Sequence, residues 1–123
     1  MVMKDYAPRF VSIGSFDRRW NSLGLDDDDL RALEMLIQAG PDVPPLVAGT
    51  GGLRKVRFAR PGSGQGKRGS YRIGYAHFAS PGIVLLLDVW AKNEKSDLSA
   101  AERGAIAGAL GRFEELIEKG KIR

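Results

Sequence analysis

Apolar positions recur at helical spacing over the first third of the chain and then switch to alternation. Phe16, Trp20 and Leu23, four and three apart, predict a helix over 16–23. A short strand, Arg9 to Ile13, precedes it and closes at Gly14. A second helix opens in the acidic run Asp26 to Asp29, buries Leu30, Leu33, Leu36 and Ile37, and stops at Gly40-Pro41. Carboxylates in a first helical turn face the positive end of the helix dipole, which accounts for the four aspartates without a Mg²⁺ site. After the Pro- and Gly-rich stretch 41–52 the period becomes two. Strands are predicted over Leu53–Ala59, Ser70–Ala79 and Ile83–Ala91, joined by the Gly-rich connection Pro61–Gly69 and the turn Ser80-Pro-Gly82. Three strands in succession with short connections make an antiparallel meander. A last helix starts near Ser99, whose spacing from Glu102 fits a capping box, and lines one face with Ile106, Leu110, Phe113 and Ile117. Gly104, Gly108 and Gly111 weaken that helix in isolation, so it is expected to depend on packing.

The 123 residues carry 43% hydrophobic and 28% charged side chains, a balance expected of one globular domain over 1–123. The chain has no cysteine, which excludes disulfides, a thiolate nucleophile and Cys-ligated metals, and its single histidine excludes a two-histidine site. The longest apolar run, Ile83–Leu87, is too short for a membrane span, and Met1–Arg9 lacks the apolar core of a signal peptide, so a cytoplasmic protein is expected.

Charge changes the picture more through its placement than through its net value of +4. Residues 53–72 hold 7 basic groups and no acidic one: Arg54, Lys55, Arg57, Arg60, Lys67, Arg68 and Arg72. Arginine dominance, absent acids and nearby glycines point to a polyanion. Strand parity places Val56 and Phe58 inward and Lys55 and Arg57 outward. If Tyr71, Ile73, Tyr75 and His77 face the helices, Arg72 joins Lys55 and Arg57 on one exposed sheet face, with Gly74 and Ala76 flooring a shallow groove suited to single-stranded nucleic acid.

Nucleotide motifs fail in context. Gly64-Gln-Gly-Lys-Arg-Gly69 matches G-x-G-x-x-G but lies between strands, whereas a dinucleotide fingerprint opens a helix. A phosphate loop is excluded because Pro61 and Arg68 stand where it needs Gly and Ser/Thr, and helix-turn-helix DNA binding is disfavoured because the charge sits on strands and a loop. His77 reads as a structural, partly buried histidine. Asp88, in an apolar strand, is either a general base or the partner of a nearby cation. Trp90 and Tyr75 read as core, and Tyr71 is open to either core packing or base stacking.

Three blocks together, Gly49-Thr-Gly-Gly-Leu-Arg-Lys55, Gly66-Lys-Arg-Gly69 leading into Tyr71-Arg-Ile73, and Trp90-Ala-Lys-Asn-Glu-Lys-Ser-Asp-Leu98, resemble the HigB-type toxins of the RelE superfamily, from type II toxin–antitoxin modules. The resemblance covers roughly residues 10–117 in element order. It implies an α+β microbial RNase fold: an antiparallel sheet with two N-terminal helices packed on one face, plus a C-terminal helix. It also implies cleavage of mRNA in the ribosomal A site, no cofactor or metal, and a cognate HigA-type helix-turn-helix antitoxin to which any DNA binding would belong. Carried onto this chain, Arg72 ranks first for catalysis, Lys55 and Arg57 match an alternating basic pair, and Lys92 and Lys95 match a basic cluster. Asn93 stands where RelE proper has an arginine, which leaves the general acid unassigned. The expected catalytic set is Arg72, Arg57, Lys55 and Lys92, and the expected RNA contacts are Arg54, Arg60, Lys67, Arg68, Tyr71, Asn93 and Lys95. Two other readings keep the basic face without cleavage: an RNA- or ribosome-binding domain, and a module that binds only an acidic antitoxin segment.

Overall fold

The computed structural model describes residues 6–62 and 71–122. In chain order the elements are β1 (Arg9–Ser12), α1 (Gly14–Ser22), α2 (Asp27–Ala39), β2 (Arg54–Phe58), β3 (Tyr71–Phe78), β4 (Ile83–Ala91) and α3 (Ala100–Glu118). Every element expected from the pattern is present, with boundaries shifted by a residue or two. The meander β2–β3–β4 is antiparallel as anticipated. β1 lies outside the meander and pairs in parallel with β4, giving a mixed sheet of order β1-β4-β3-β2. α1, α2, β2 and β3 all lie between β1 and β4 in the chain, a connection long enough for a crossover to a parallel partner.

Capping chemistry sets two helix starts. The backbone N–H of Asp29 donates to Asp26 Oδ1 at 2.8 Å, and that of Asp26 donates to Asp29 Oδ2 at 2.9 Å. Ser99 and Glu102 make the same reciprocal pair at α3. The aspartate run is therefore a helix start, and Asp29 is buried there.

Both sheet faces are covered, though unequally. On one face, α1 and α2 bring Phe16, Trp20, Leu33 and Ile37 onto Phe58, Ile73, Tyr75, Val84, Leu86 and Val89. On the other, α3 brings Leu110, with Ile106 and Phe113, onto Ala76, Leu85, Leu87 and Trp90. This corrects two expectations. Leu36 is not part of the stripe of α2 but 45% exposed. The face bearing Lys55, Arg57 and Arg72 is not an open sheet, because α3 shields its β4 side.

A bulge in β4 decides which face Trp90 joins. Gly74 pairs with Asp88 but Tyr75 pairs with Leu86, so Leu87 is an extra residue. Even-numbered Val84 and Leu86 face α1 and α2 before it, and odd-numbered Val89 does so after it. Trp90 is thereby turned to the α3 side, next to Arg72, its cross-strand partner.

The groove expected over Gly74 and Ala76 is filled. Leu53, fully buried, lies over Gly74 so closely that a Cβ there would sit 3.1 Å from Leu53 Cδ2. Glycine at 74 thus admits Leu53 rather than a ligand. Ala76 is likewise buried, in the cluster with α3.

Candidate nucleic-acid interface

The cationic side chains separate according to strand parity and local partners. Arg57 and Arg72 are direct cross-strand neighbours, and Lys55 is opposite Gly74 two residues along. Together they line a cleft of about 560 Å³ whose remaining wall is Val43, Pro44, Pro45, Val56 and Ser96. Two guanidinium groups opposite each other repel. Arg72 is held below the usual arginine range, first by its partial burial and then by the charge of Arg57. An anion between them relieves that repulsion.

A carboxylate that sequence reasoning assigned no role is tied to Lys55. Its Nζ donates to Asp97 Oδ1 at 3.2 Å, and Arg103 Nη2 donates to Asp97 Oδ2 at 3.3 Å. Asp97 Oδ1 also accepts the Leu98 backbone N–H at 2.8 Å. That bond and the Lys55 contact keep the Asp97 carboxyl below the usual range despite some burial. Arg103 is itself anchored to the carbonyls of Leu98 and Ala48 at 3.3 and 3.2 Å. The only available signal was that Asp97 sits inside the block Trp90–Leu98. Nothing in its spacing reveals that it meets a lysine 42 residues away.

The Gly49–Leu53 loop sets where β2 begins. Gly49, Gly51 and Gly52 have φ of 80, 74 and 129°, a region that favours glycine. The Thr50 hydroxyl donates to the Val47 carbonyl at 2.6 Å and accepts the Leu53 N–H at 3.0 Å. These bonds anchor Leu53 in the core and leave Lys55 and Arg57, two and four residues on, facing the cleft.

Other members of the expected set lie elsewhere. Arg54 Nη1 donates to the carbonyls of Asp42 and Pro44 at 2.9 and 2.7 Å, so it braces the loop beside the cleft. Arg60 Nε donates to Asp29 Oδ2 at 3.0 Å, linking the end of β2 to the start of α2. Tyr71 packs against the core on the α1/α2 face, opposite Arg72. Lys92 and Asn93 are exposed in the turn after β4 and do not line the cleft. Lys95 sits 5.1 Å above the Trp90 ring and pairs with Glu102, whose carboxyl that contact holds low. Lys67 and Arg68 lie outside the described residues.

His77, read as structural, and Asp88, left open, are placed by their contacts. The His77 side chain is 1% exposed, with Nε2 2.7 Å from the Tyr6 hydroxyl and Nδ1 2.9 Å from Asp42 Oδ1, a bracing position away from the cleft. Asp88 lines a separate pocket with Ser15, Glu102 and Ala105, and burial pushes its carboxyl up. It is therefore not part of the Arg57–Arg72 cleft.

No protein-family model matches the sequence. The structure is similar to that of the E. coli toxin RelE, solved in the free state as a double arginine-to-alanine mutant. The TM-score is 0.50 at 15% identity, over 73% of this chain and 88% of that one. The four strands and three helices of the described residues therefore form an α+β fold of the RelE type.

Proposed function

We propose that the protein is the toxin of a type II toxin–antitoxin module: a HigB-type, ribosome-dependent endoribonuclease that cleaves translated mRNA and is neutralised by a HigA-type helix-turn-helix antitoxin. The observation that carries this reading is the pairing of Arg57 with Arg72 across β2 and β3, with Lys55 beside them in one cleft of a RelE-like fold.

The chemistry suits these residues. The 2′-oxygen attacks the adjacent phosphorus, its proton leaves, and the P–O5′ bond breaks to give a cyclic phosphate and a 5′-hydroxyl that must gain a proton. Because nucleophile and phosphate are already in one molecule, the enzyme's main task is to hold the attack in line and stabilise a doubly charged phosphorane. Arg57 and Arg72 stay protonated and supply that stabilisation, but neither can accept the proton. Lys55, held by Asp97, is the proton-exchanging group inside the cleft, and Lys92 is the alternative on the exposed turn.

Arg72→Ala tests this directly. Cleavage of translated message and growth arrest on induction should fall by at least about a hundredfold, the cost of removing one charge-stabilising donor, while RNA affinity falls only severalfold. Equal losses of cleavage and affinity would make the domain an RNA binder rather than an enzyme. RNA binding undetectable without the antitoxin would leave the module that recognises only an acidic antitoxin segment.

A further inference from the structure

The wall of the cleft facing the cations is apolar, exposed and yet tightly fixed. Val43 is 83% exposed and lines the cleft with Pro44 and Pro45. An exposed apolar loop on a surface is ordinarily loosely held. Here four of the carbonyls of residues 41–45 and the Val43 N–H have partners. The Val43 N–H donates to the Gly40 carbonyl at 3.1 Å, and the Tyr75 hydroxyl, from the buried core, donates to the Pro41 carbonyl at 2.7 Å. Arg54 takes the Asp42 and Pro44 carbonyls, and the Lys55 N–H donates to the Pro45 carbonyl at 3.1 Å. His77 holds the Asp42 side chain. Gly40 lets the loop close tightly, since a Cβ there would sit 2.8 Å from Val43 Cγ2.

The fixed loop therefore presents an aliphatic surface across the cleft from two guanidinium groups. Such a pairing matches a nucleotide, whose phosphate is anionic and whose base has an apolar face. About 560 Å³ accommodates one nucleotide with solvent. We infer that Val43, Pro44 and Pro45 form a base-packing platform, on which a nucleobase of a single strand lies while Arg57 and Arg72 hold its phosphate. This rests on the RNA-cleaving reading and adds to it the seat of the base. It also gives Arg54 a role without RNA contact: it fixes the platform. Flat aliphatic packing tolerates any base, so the platform contributes affinity and position more than sequence choice.

The test compares a short 2′-fluoro oligonucleotide, which lacks the attacking hydroxyl, with its abasic counterpart of equal phosphate number. Wild-type protein should bind the base-bearing strand about tenfold more tightly, the effect of covering a side chain of this size. Val43→Ser should remove most of that difference while leaving abasic affinity and the salt dependence unchanged. Leu46→Ser, a change at an exposed apolar residue of the same loop outside the cleft lining, should leave both affinities intact. Equal wild-type affinity for the two strands overturns the platform, as does a Val43→Ser protein that loses both in proportion. So does one that binds RNA normally and fails only to bind the antitoxin, since the apolar wall would then serve a protein. Wild-type protein that binds neither strand overturns the RNA reading itself.

Discussion

Asp97 shows what one carboxylate does in a cationic neighbourhood. It accepts from Lys55, Arg103 and the Leu98 backbone, and its acid form is disfavoured by that backbone bond and then by Lys55. A carboxyl with a lowered pKa in the folded state stabilises the fold above its unfolded value, near 3.9, and that contribution disappears as pH falls through the lowered folded value. Its side chain is 44% exposed, so the contribution is modest. Asp97→Asn should cost about 0.5–1 kcal/mol at pH 7. Denaturant unfolding at several pH values should show mutant and wild type converging well below pH 4; a constant difference down to pH 2 would mean that charge is not the cause. At this same scale the sequence was least informative. Parity alone separated Arg54 and Arg60 from Lys55 and Arg57, but their partners, Asp42 and Asp29, come from remote segments.

Elements were far more legible. Helical spacing in 16–23 and 30–37, alternation in 53–59 and 71–77, and the Ser99–Glu102 cap each depend on neighbours close in the chain, which is why they could be read without coordinates. What alternation cannot show is an extra residue. The bulge at Leu87 reverses the parity of everything after it, and only pairing with β3 exposes it. The Gly74–Leu53 contact is also between elements. Gly74→Ala would place a Cβ 3.1 Å from a fully buried side chain that cannot swing into solvent. We expect a net loss of about 1–2 kcal/mol, overpacking less the small gain from restricting a glycine. The double variant Gly74→Ala/Leu53→Ala should lose clearly less than the sum of the two single changes, a coupling that equilibrium unfolding measures. Strict additivity would show that the two residues do not press on each other.

At the scale of the molecule, positive charge is concentrated rather than plentiful. The net value is only +4, and acidic groups neutralise many cations locally: Asp29 at Arg60, Asp42 at Arg54, Asp97 at Arg103. Strand affinity should then come from the cleft and its approaches. With about five phosphates neutralised on single-stranded RNA, log affinity should fall against log salt with a slope near −3.5. Titration of a non-cleavable strand at several salt concentrations measures it; a slope near zero would remove the electrostatic basis of the interface.

The amino-acid order by itself determined the helices and strands through spacing, the antiparallel meander through its short connections, and the common side of Lys55 and Arg57 through parity along one strand. Arg72 joined them only on the condition that Tyr71 and Ile73 face the helices, which the register of β2 and β3 meets. The amino-acid order also exposed the acid-free basic window. Only the tertiary structure decided that β1 joins β4 in parallel, that α3 and Leu53 cover the part of the face expected to be a groove, and that the opening lies instead against Val43–Pro45. Those outcomes depend on which distant segments pack together, and packing volume has no signature in local periodicity.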